Sequence, residues 1–124
     1  ADIDIIEMHD RDKLAAPSGT SREIGHTIAA ILGKKFDDLA RYQRKGSGIR
    51  SKHTLDYTSI RSGTSNPSHT VMFGFDNEQM EVSLRGDNML PYAEGMIQAA
   101  LFIIHQDPGF YTFEQVFAAE NSYS

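Results

Sequence analysis

The chemistry in this chain gathers between Glu7 and Thr20, where one imidazole, two cations and a Pro-Ser-Gly-Thr turn follow one another. His9 is the side chain there whose ordinary pKa lies near neutrality, so it is the candidate for giving or taking a proton. Lys13 is a compact, flexible charge and Arg11 a planar, permanent one, and both suit an anion. Ser18, Gly19 and Thr20 stand where a helix is expected to start. A helix start offers unpaired amides and the positive end of the peptide dipoles, Gly19 allows close backbone approach, and the two hydroxyls add donors. The segment reads as an anion cradle with a proton-transfer group beside it. The plainer reading is that Pro-Ser-Gly-Thr only caps the helix, the charges are solvated and the histidine is a surface residue. Pattern alone holds the two in balance for the cradle and gives catalysis less support.

Those residues need elements to hold them. Ile3, Ile5, Ile6 and Met8 form a β-branched run that predicts a strand over residues 2 to 8. Ile24, Ile28, Ile31 and Leu32 draw one stripe on a helix that Gly33 stops, and Ser18, Thr20 or Ser21 can each cap its start. The polar stretch Lys34 to Lys52, with Gly46-Ser47-Gly48 inside it, reads as a loop. Three strand-like runs follow: His53 to Arg61, His69 to Phe75 and Gln79 to Arg85. The connections Ser62 to Ser68 and Asp76 to Glu78 are short enough for antiparallel neighbours. Ala93, Met96, Ile97, Ala100, Leu101 and Ile104 repeat at helical spacing behind Pro91, and Asp107-Pro108-Gly109 ends that helix. The aromatic run Phe110 to Phe113 leads into a helical tail, Glu114 to Ala119.

This order predicts one α+β domain over residues 1–124, a mixed sheet of four to five strands with two main helices packed on one face. The other face is left open for oligomerisation. Tyr57, Val71, Phe73 and Val82 are candidates for that contact, or, more plainly, for the core.

Composition narrows the function. The chain has 124 residues, 40% hydrophobic and 23% charged, which suits one soluble domain with one core. No stretch is apolar enough to span a bilayer and no signal peptide opens the chain, so the cytoplasm is the default expectation. The missing initiator Met, ahead of a strand pattern that begins by Ile3, suggests a chain cut from a longer one. Without cysteine there are no disulfides, thiolate nucleophiles or cysteine zinc sites. A net charge of −5 argues against nucleic acid as a partner. The basic cluster Arg41, Arg44, Lys45, Arg50 and Lys52 reads as a solvated loop ahead of an anion site. The histidines His9, His26, His53, His69 and His105 lack ligand spacing, so no metal is expected. No Gly-x-Gly-x-x-Gly follows a strand, and Gly46-Ser47-Gly48 lacks the strand-to-helix setting of a dinucleotide site.

The Glu7 to Thr20 segment also resembles the motif of dihydrodipicolinate reductases, Glu-x-His-His-x-x-Lys-x-x-Ala-Pro-Ser-Gly-Thr. Glu7, His9, Lys13, Ala16, Pro17, Ser18, Gly19 and Thr20 match it, and Asp10 replaces the second His. Ile60 to Gly63, His69 to Phe73 and Glu81 to Ser83 look like later strands of that family, and Tyr92 to Leu101 like its long final helix. The likeness covers nearly the whole chain, with a departure from Gly63 to Ser68. It implies the C-terminal, substrate-binding and tetramer-forming domain of an enzyme whose N-terminal Rossmann domain, absent from this chain, holds NADPH or NADH. The implied reaction is hydride transfer to a cyclic dicarboxylate in lysine and diaminopimelate synthesis. By position, the resemblance makes His9 the general acid and Lys13 the partner of a substrate carboxylate. It sets Ser18, Gly19 and Thr20 on the other anionic part, with Asp10 and Arg11 at the same site. The isolated chain is then expected to be inactive.

Asp10 keeps two alternatives open. A carboxylate there repels a dicarboxylate unless Arg11 or Lys13 neutralises it, which suits a reductase-like homologue acting on a different small acid. The missing nucleotide half and the open sheet face suit a non-catalytic assembly domain. The expected partners are a small dicarboxylate, the parent's nucleotide domain and further copies in a homotetramer, with no nucleic acid and no membrane.

Overall fold

Alternation along the first strand decides what the rest of the chain must cover. The computed structural model describes residues 1–64 and 66–120. In β1 (Asp2–His9) Ile3, Ile5, Glu7 and His9 are buried, while Ile6 and Met8, pointing the other way, are half-buried. β1 lies at the centre of a five-stranded sheet of order β2-β3-β1-β4-β5, where β2 is Ala40–Tyr42, β3 Leu55–Arg61, β4 Ser68–Gly74 and β5 Gln79–Arg85. β1 runs parallel to β3, with Ile5 beside Tyr57, and antiparallel to β4, with Ile5 beside Val71. β2 runs parallel to β3, and β5 antiparallel to β4. The sheet is mixed, as the element order predicts.

Two local expectations change. The stretch from Lys34 to Lys52 contains a turn of helix, α2 (Phe36–Leu39), and the edge strand β2, because Phe36, Leu39 and Ala40 are buried in the core. The runs on either side of Ser62 to Ser68 are also not neighbours. β1 lies between β3 and β4, so a short connection spans a strand instead of closing a hairpin. Ser65, within it, lies outside the described residues. β4 and β5 do pair directly across Asp76 to Glu78.

On the buried face Ile3, Ile5, Leu55, Tyr57 and Val71 are closed over by Ala29, Ile24 and Ile28 of α1 (Gly19–Ile31) and by Phe36 and Leu39 of α2. α1 approaches the sheet closely at Gly25, where a Cβ would stand 1.7 Å from the Tyr57 hydroxyl. That hydroxyl donates to the Ser21 carbonyl at 3.3 Å. Tyr57 and Val71 are therefore core, Phe73 packs against them, and Val82 lies exposed on the same face farther out. The face that α1 and α2 leave uncovered carries Ile6, Met8, Ile60 and Met72. Period-two alternation, registered on β1, makes this correction to the expected contact residues.

Residues Ala1–Gly86 form one compact unit and residues from Asp87 on a second. In the second, α3 (Leu90–Ile103) starts at Pro91 in its first turn and is followed by α4 (Phe113–Glu120). Tyr111 links them, donating its hydroxyl to the Asp107 carbonyl at 2.7 Å and meeting Phe102 edge to face at 5.7 Å. No residue of α3 is buried. No helix among the described residues is long and apolar enough to cross a membrane.

Candidate functional site

The same alternation that buries Ile3 and Ile5 also buries Glu7, a carboxylate only 1% exposed at the end of the core. A buried carboxylate persists when it is paired and hydrogen-bonded. Glu7 Oε1 accepts from Arg61 Nη2 at 2.7 Å and from the Ser18 amide at 3.2 Å. Burial by itself raises the Glu7 pKa. Hydrogen bonds from Ser18, Arg61 and Ser59, with the Arg61 charge, outweigh that and hold the carboxyl at about 2. Arg61 also donates Nε to the Lys13 carbonyl at 3.2 Å and Nη2 to the Ala15 carbonyl at 2.5 Å. One guanidinium thus ties the loop after β1 to a buried anion.

Two imidazoles flank that anion. His9 Nδ1 is 3.1 Å from Glu7 Oε2, and His69 Nε2 is 4.0 Å from it. His69 arrives on β4, whose register places it opposite Glu7, and the two rings meet edge to face at 5.3 Å. Burial lowers the His9 pKa, Arg61 and Lys13 lower it further, and Glu7 and Asp10 act the other way without reversing it. Burial, then the neighbouring His9, lowers His69 against the pull of Glu7. Both rings are mainly neutral at pH 7.

Ser18 is the N-cap of α1. Its Oγ accepts the Ser21 amide at 3.2 Å and lies 3.1 Å from Ser21 Oγ and 3.2 Å from His69 Nε2. The Ser18 amide is held by Glu7, and the Ser18 side chain is buried against Ser21 and His69. Gly19 and Thr20 are exposed, and a Cβ on Gly19 would meet nothing within 4 Å. No acidic residue occupies the first turn. Glu7 already holds the Ser18 amide at the cap, while the first turn itself, with Gly19 and Thr20 exposed, carries no carboxylate of its own.

The loop between carries the remaining candidates. Asp10 Oδ1 accepts the Asp12 amide at 3.0 Å, folding its carboxylate onto its own loop, and the Arg11 amide donates to the Gly63 carbonyl at 3.0 Å. The side chains of Arg11 and Lys13 are exposed. Glu7, His9 and His69 offer one ligand atom each within 4.8 Å, the one such group among the described residues. The Arg61 guanidinium on the same carboxylate opposes an added cation.

The basic cluster is partly structural. Arg50 pairs with Asp4 at 2.8 Å and Asp56 at 3.3 Å, and donates to the carbonyls of Ile3 and Thr54. Gly46 to Gly48 lies between β2 and β3, not between a strand and a helix. Sequence reasoning missed Arg61 and His69 as members of the site and passed over Glu7. The signal that finds all three is the pairing of β1, since only the register brings positions 61 and 69 beside it.

Comparison with known proteins agrees in family. The family described as dihydrodipicolinate reductase, C-terminus, matches residues 1–117. A 4-hydroxy-tetrahydrodipicolinate reductase of Methylococcus capsulatus is 37% identical over 117 residues, which are 94% of this chain and 44% of the relative. That of Burkholderia thailandensis is 40% identical over 116 residues, covering 93% of this chain and 43% of the relative. A solved structure described as dipicolinate-bound dihydrodipicolinate reductase from Paenisporosarcina sp. TG-14 superposes with a TM-score of 0.59 at 22% identity. It covers 77% of this chain and 37% of that one, a likeness of fold. The chain spans less than half the length of these curated relatives.

Proposed function

Because this chain belongs to the family of dihydrodipicolinate reductase C-terminal domains, we propose that it is the substrate-binding and oligomerising part of an NAD(P)H-dependent reductase of dihydrodipicolinate, serving diaminopimelate and lysine synthesis. The observation that supports this reading is the start of α1, exposed at Gly19 and Thr20, with no acidic residue in its first turn and with two buried imidazoles close to its cap. One carboxylate of a cyclic dicarboxylate docks on the amides of Gly19 and Thr20 and the Thr20 hydroxyl. Lys13 meets the other carboxylate, and Arg11 offsets Asp10 at the mouth of the site. His9 delivers the proton that must accompany hydride addition. Neutral without ligand, it gains a proton when a dianion docks, because nearby negative charge favours the imidazolium.

Among the described residues the Gly46 to Gly48 loop does not fit a dinucleotide, since it has no helix behind it. NADPH or NADH, the hydride source, belongs to the nucleotide-binding domain of the parent, the partner this reading requires. The exposed Met96, Ile97 and Leu101 of α3 are surface for such a domain to cover, and the face bearing Ile6, Met8, Ile60 and Met72 is the one for a tetramer.

Dipicolinate, a stable aromatic dianion, tests the site directly by calorimetry on this chain. It binds the wild type, and Lys13→Ala weakens binding about tenfold or more, as loss of a charged contact does. Asp10, half-buried beside His9, favours a second reading, a different small acid as substrate. Wild-type chain that ignores dipicolinate would support it.

A further inference from the structure

Glu7 reaches the helix start only through the Ser18 amide, yet with Arg61 on the same oxygen it is a buried charge held from two elements. Its Oε2 and His9 Nδ1 are both buried without another aligned hydrogen-bond partner among the described residues, and they are 3.1 Å apart. An unsatisfied buried polar atom costs about 1–3 kcal/mol, and here two such atoms face each other with one proton able to serve both. We propose that Glu7 and Arg61 are positioning residues: Glu7 holds the proton of His9 on Nδ1, and Arg61 binds Glu7 and the Lys13 loop into one body. This rests on the reading of His9 and Lys13 given above.

A proton on Nδ1 leaves Nε2, across the ring, to exchange a proton with a bound molecule. The charged and titratable groups facing His9 are Glu7 on its own strand, Asp10 and Lys13 on the loop, Arg61 on β3 and His69 on β4. From the start of α1, Ser18 reaches His69, the neighbour of the His9 ring, at 3.2 Å. Of these, Glu7 alone is buried, negative and within hydrogen-bond distance of the ring. Arg61 does for the loop what Glu7 does for the ring. Its bonds to the carbonyls of Lys13 and Ala15 fix the backbone from which the Lys13 side chain departs. A stable fold does not require a buried ion pair at this place, since apolar pairs of similar volume commonly replace them without loss.

Nitrogen-15 NMR of the imidazoles across a pH titration reads the tautomer on this chain. The wild type shows His9 as the Nδ1–H form, titrating below the ordinary histidine value. Glu7→Gln lets the Nε2–H form appear and moves the His9 titration lower still, because a negative neighbour has gone. Arg61→Lys keeps the charge but not the fork. It leaves the His9 tautomer in place, speeds amide exchange from Asp12 to Ala15 and weakens dipicolinate binding, each by about tenfold, as lost pre-organisation does.

A wild-type His9 in the Nε2–H form overturns the role of Glu7, whether or not the variant folds. An unchanged tautomer and titration in folded Glu7→Gln overturns it as well. Amide exchange that Arg61→Lys leaves untouched overturns the clamp. If the wild type binds no dipicolinate, the substrate reading fails, while tautomer and exchange still decide this one.

Discussion

Leu55 and Leu101 are the same side chain in two units of one molecule, the first fully buried and the second 59% exposed. Between Ala1 and Gly86 the alternation of β1 finds partners in its own unit: β1 meets β3 and β4, and α1 and α2 close the core, with β5 exposed at the edge. From Asp87 on, α3 is as well formed a helix as α1, yet it buries none of its apolar residues. Helical spacing specifies a backbone, while burial depends on what lies against it. A helix apolar on all sides is ordinarily a buried one. The first unit closes a core within this chain, and α3 of the second displays apolar surface.

Substitution tests that contrast most strongly at the two leucines. Leu55→Ala costs about 2–5 kcal/mol by chemical denaturation, and Leu101→Ala changes stability by no more than about half a kcal/mol. Equal losses would show α3 to be packed as firmly as the sheet.

Acid comes next. Glu7 has a folded pKa of about 2 against an ordinary 4.5. Its contribution is therefore complete above pH 4.5 and disappears as the pH falls toward 2, a loss of about 3 kcal/mol by linkage. His9 and His69, also lowered, act with the same sign at higher pH, so stability already declines as the pH drops below 6.5. The second unit has no buried charged side chain among its described residues. Acid unfolding should thus be a property of the first unit, visible in the near-ultraviolet signal of Tyr57. A pH-independent melt would refute the buried pairing.

The finest test uses two helix glycines. Alanine gains about 1 kcal/mol over glycine in a helix. At Gly25 the new Cβ would collide with the Tyr57 hydroxyl and stand 2.8 Å from Phe36 Cε2, for a net loss of about 1–3 kcal/mol. At Gly95 it would stand 3.3 Å from Phe113 Cζ, a ring that is 48% exposed and free to shift, so Gly95→Ala is neutral or gains up to about 1 kcal/mol. Thermal melts compare the pair, and a loss at Gly95 to match Gly25 would erase the distinction.

Much of this was legible in the sequence, for reasons that differ by place. β5 matches its expected bounds because turn residues flank a clean run, and α1 could be placed because Ser18 is a good cap before an apolar stripe. α2 and β2 were missed because elements so short draw their stability from their neighbours, here Leu55 and Tyr57 on β3. The signs were present in Phe36, Leu39 and Ala40, apolar residues inside a polar stretch. The relation of β3 to β4 was misread because loop length reports distance between ends and not what lies between them. In the site, His9, Lys13 and the helix start stand in one local segment and could be read together. Arg61 and His69 could not, because their place depends on which strands flank β1.

On the ribosome, β1 emerges before the strands it pairs with and then waits. Its partners are residues 55–61 and 68–74, so the central strand cannot be enclosed until the chain through Gly74 has emerged. Throughout that interval Ile3 and Ile5 are uncovered and Glu7 is an ordinary solvated carboxylate. Pairing over such separations is slow, and the nascent chain is open to aggregation and to chaperones while it lasts. His9, Glu7 and the middle of the sheet are then enclosed late, and a chain stalled before β4 has none of them buried.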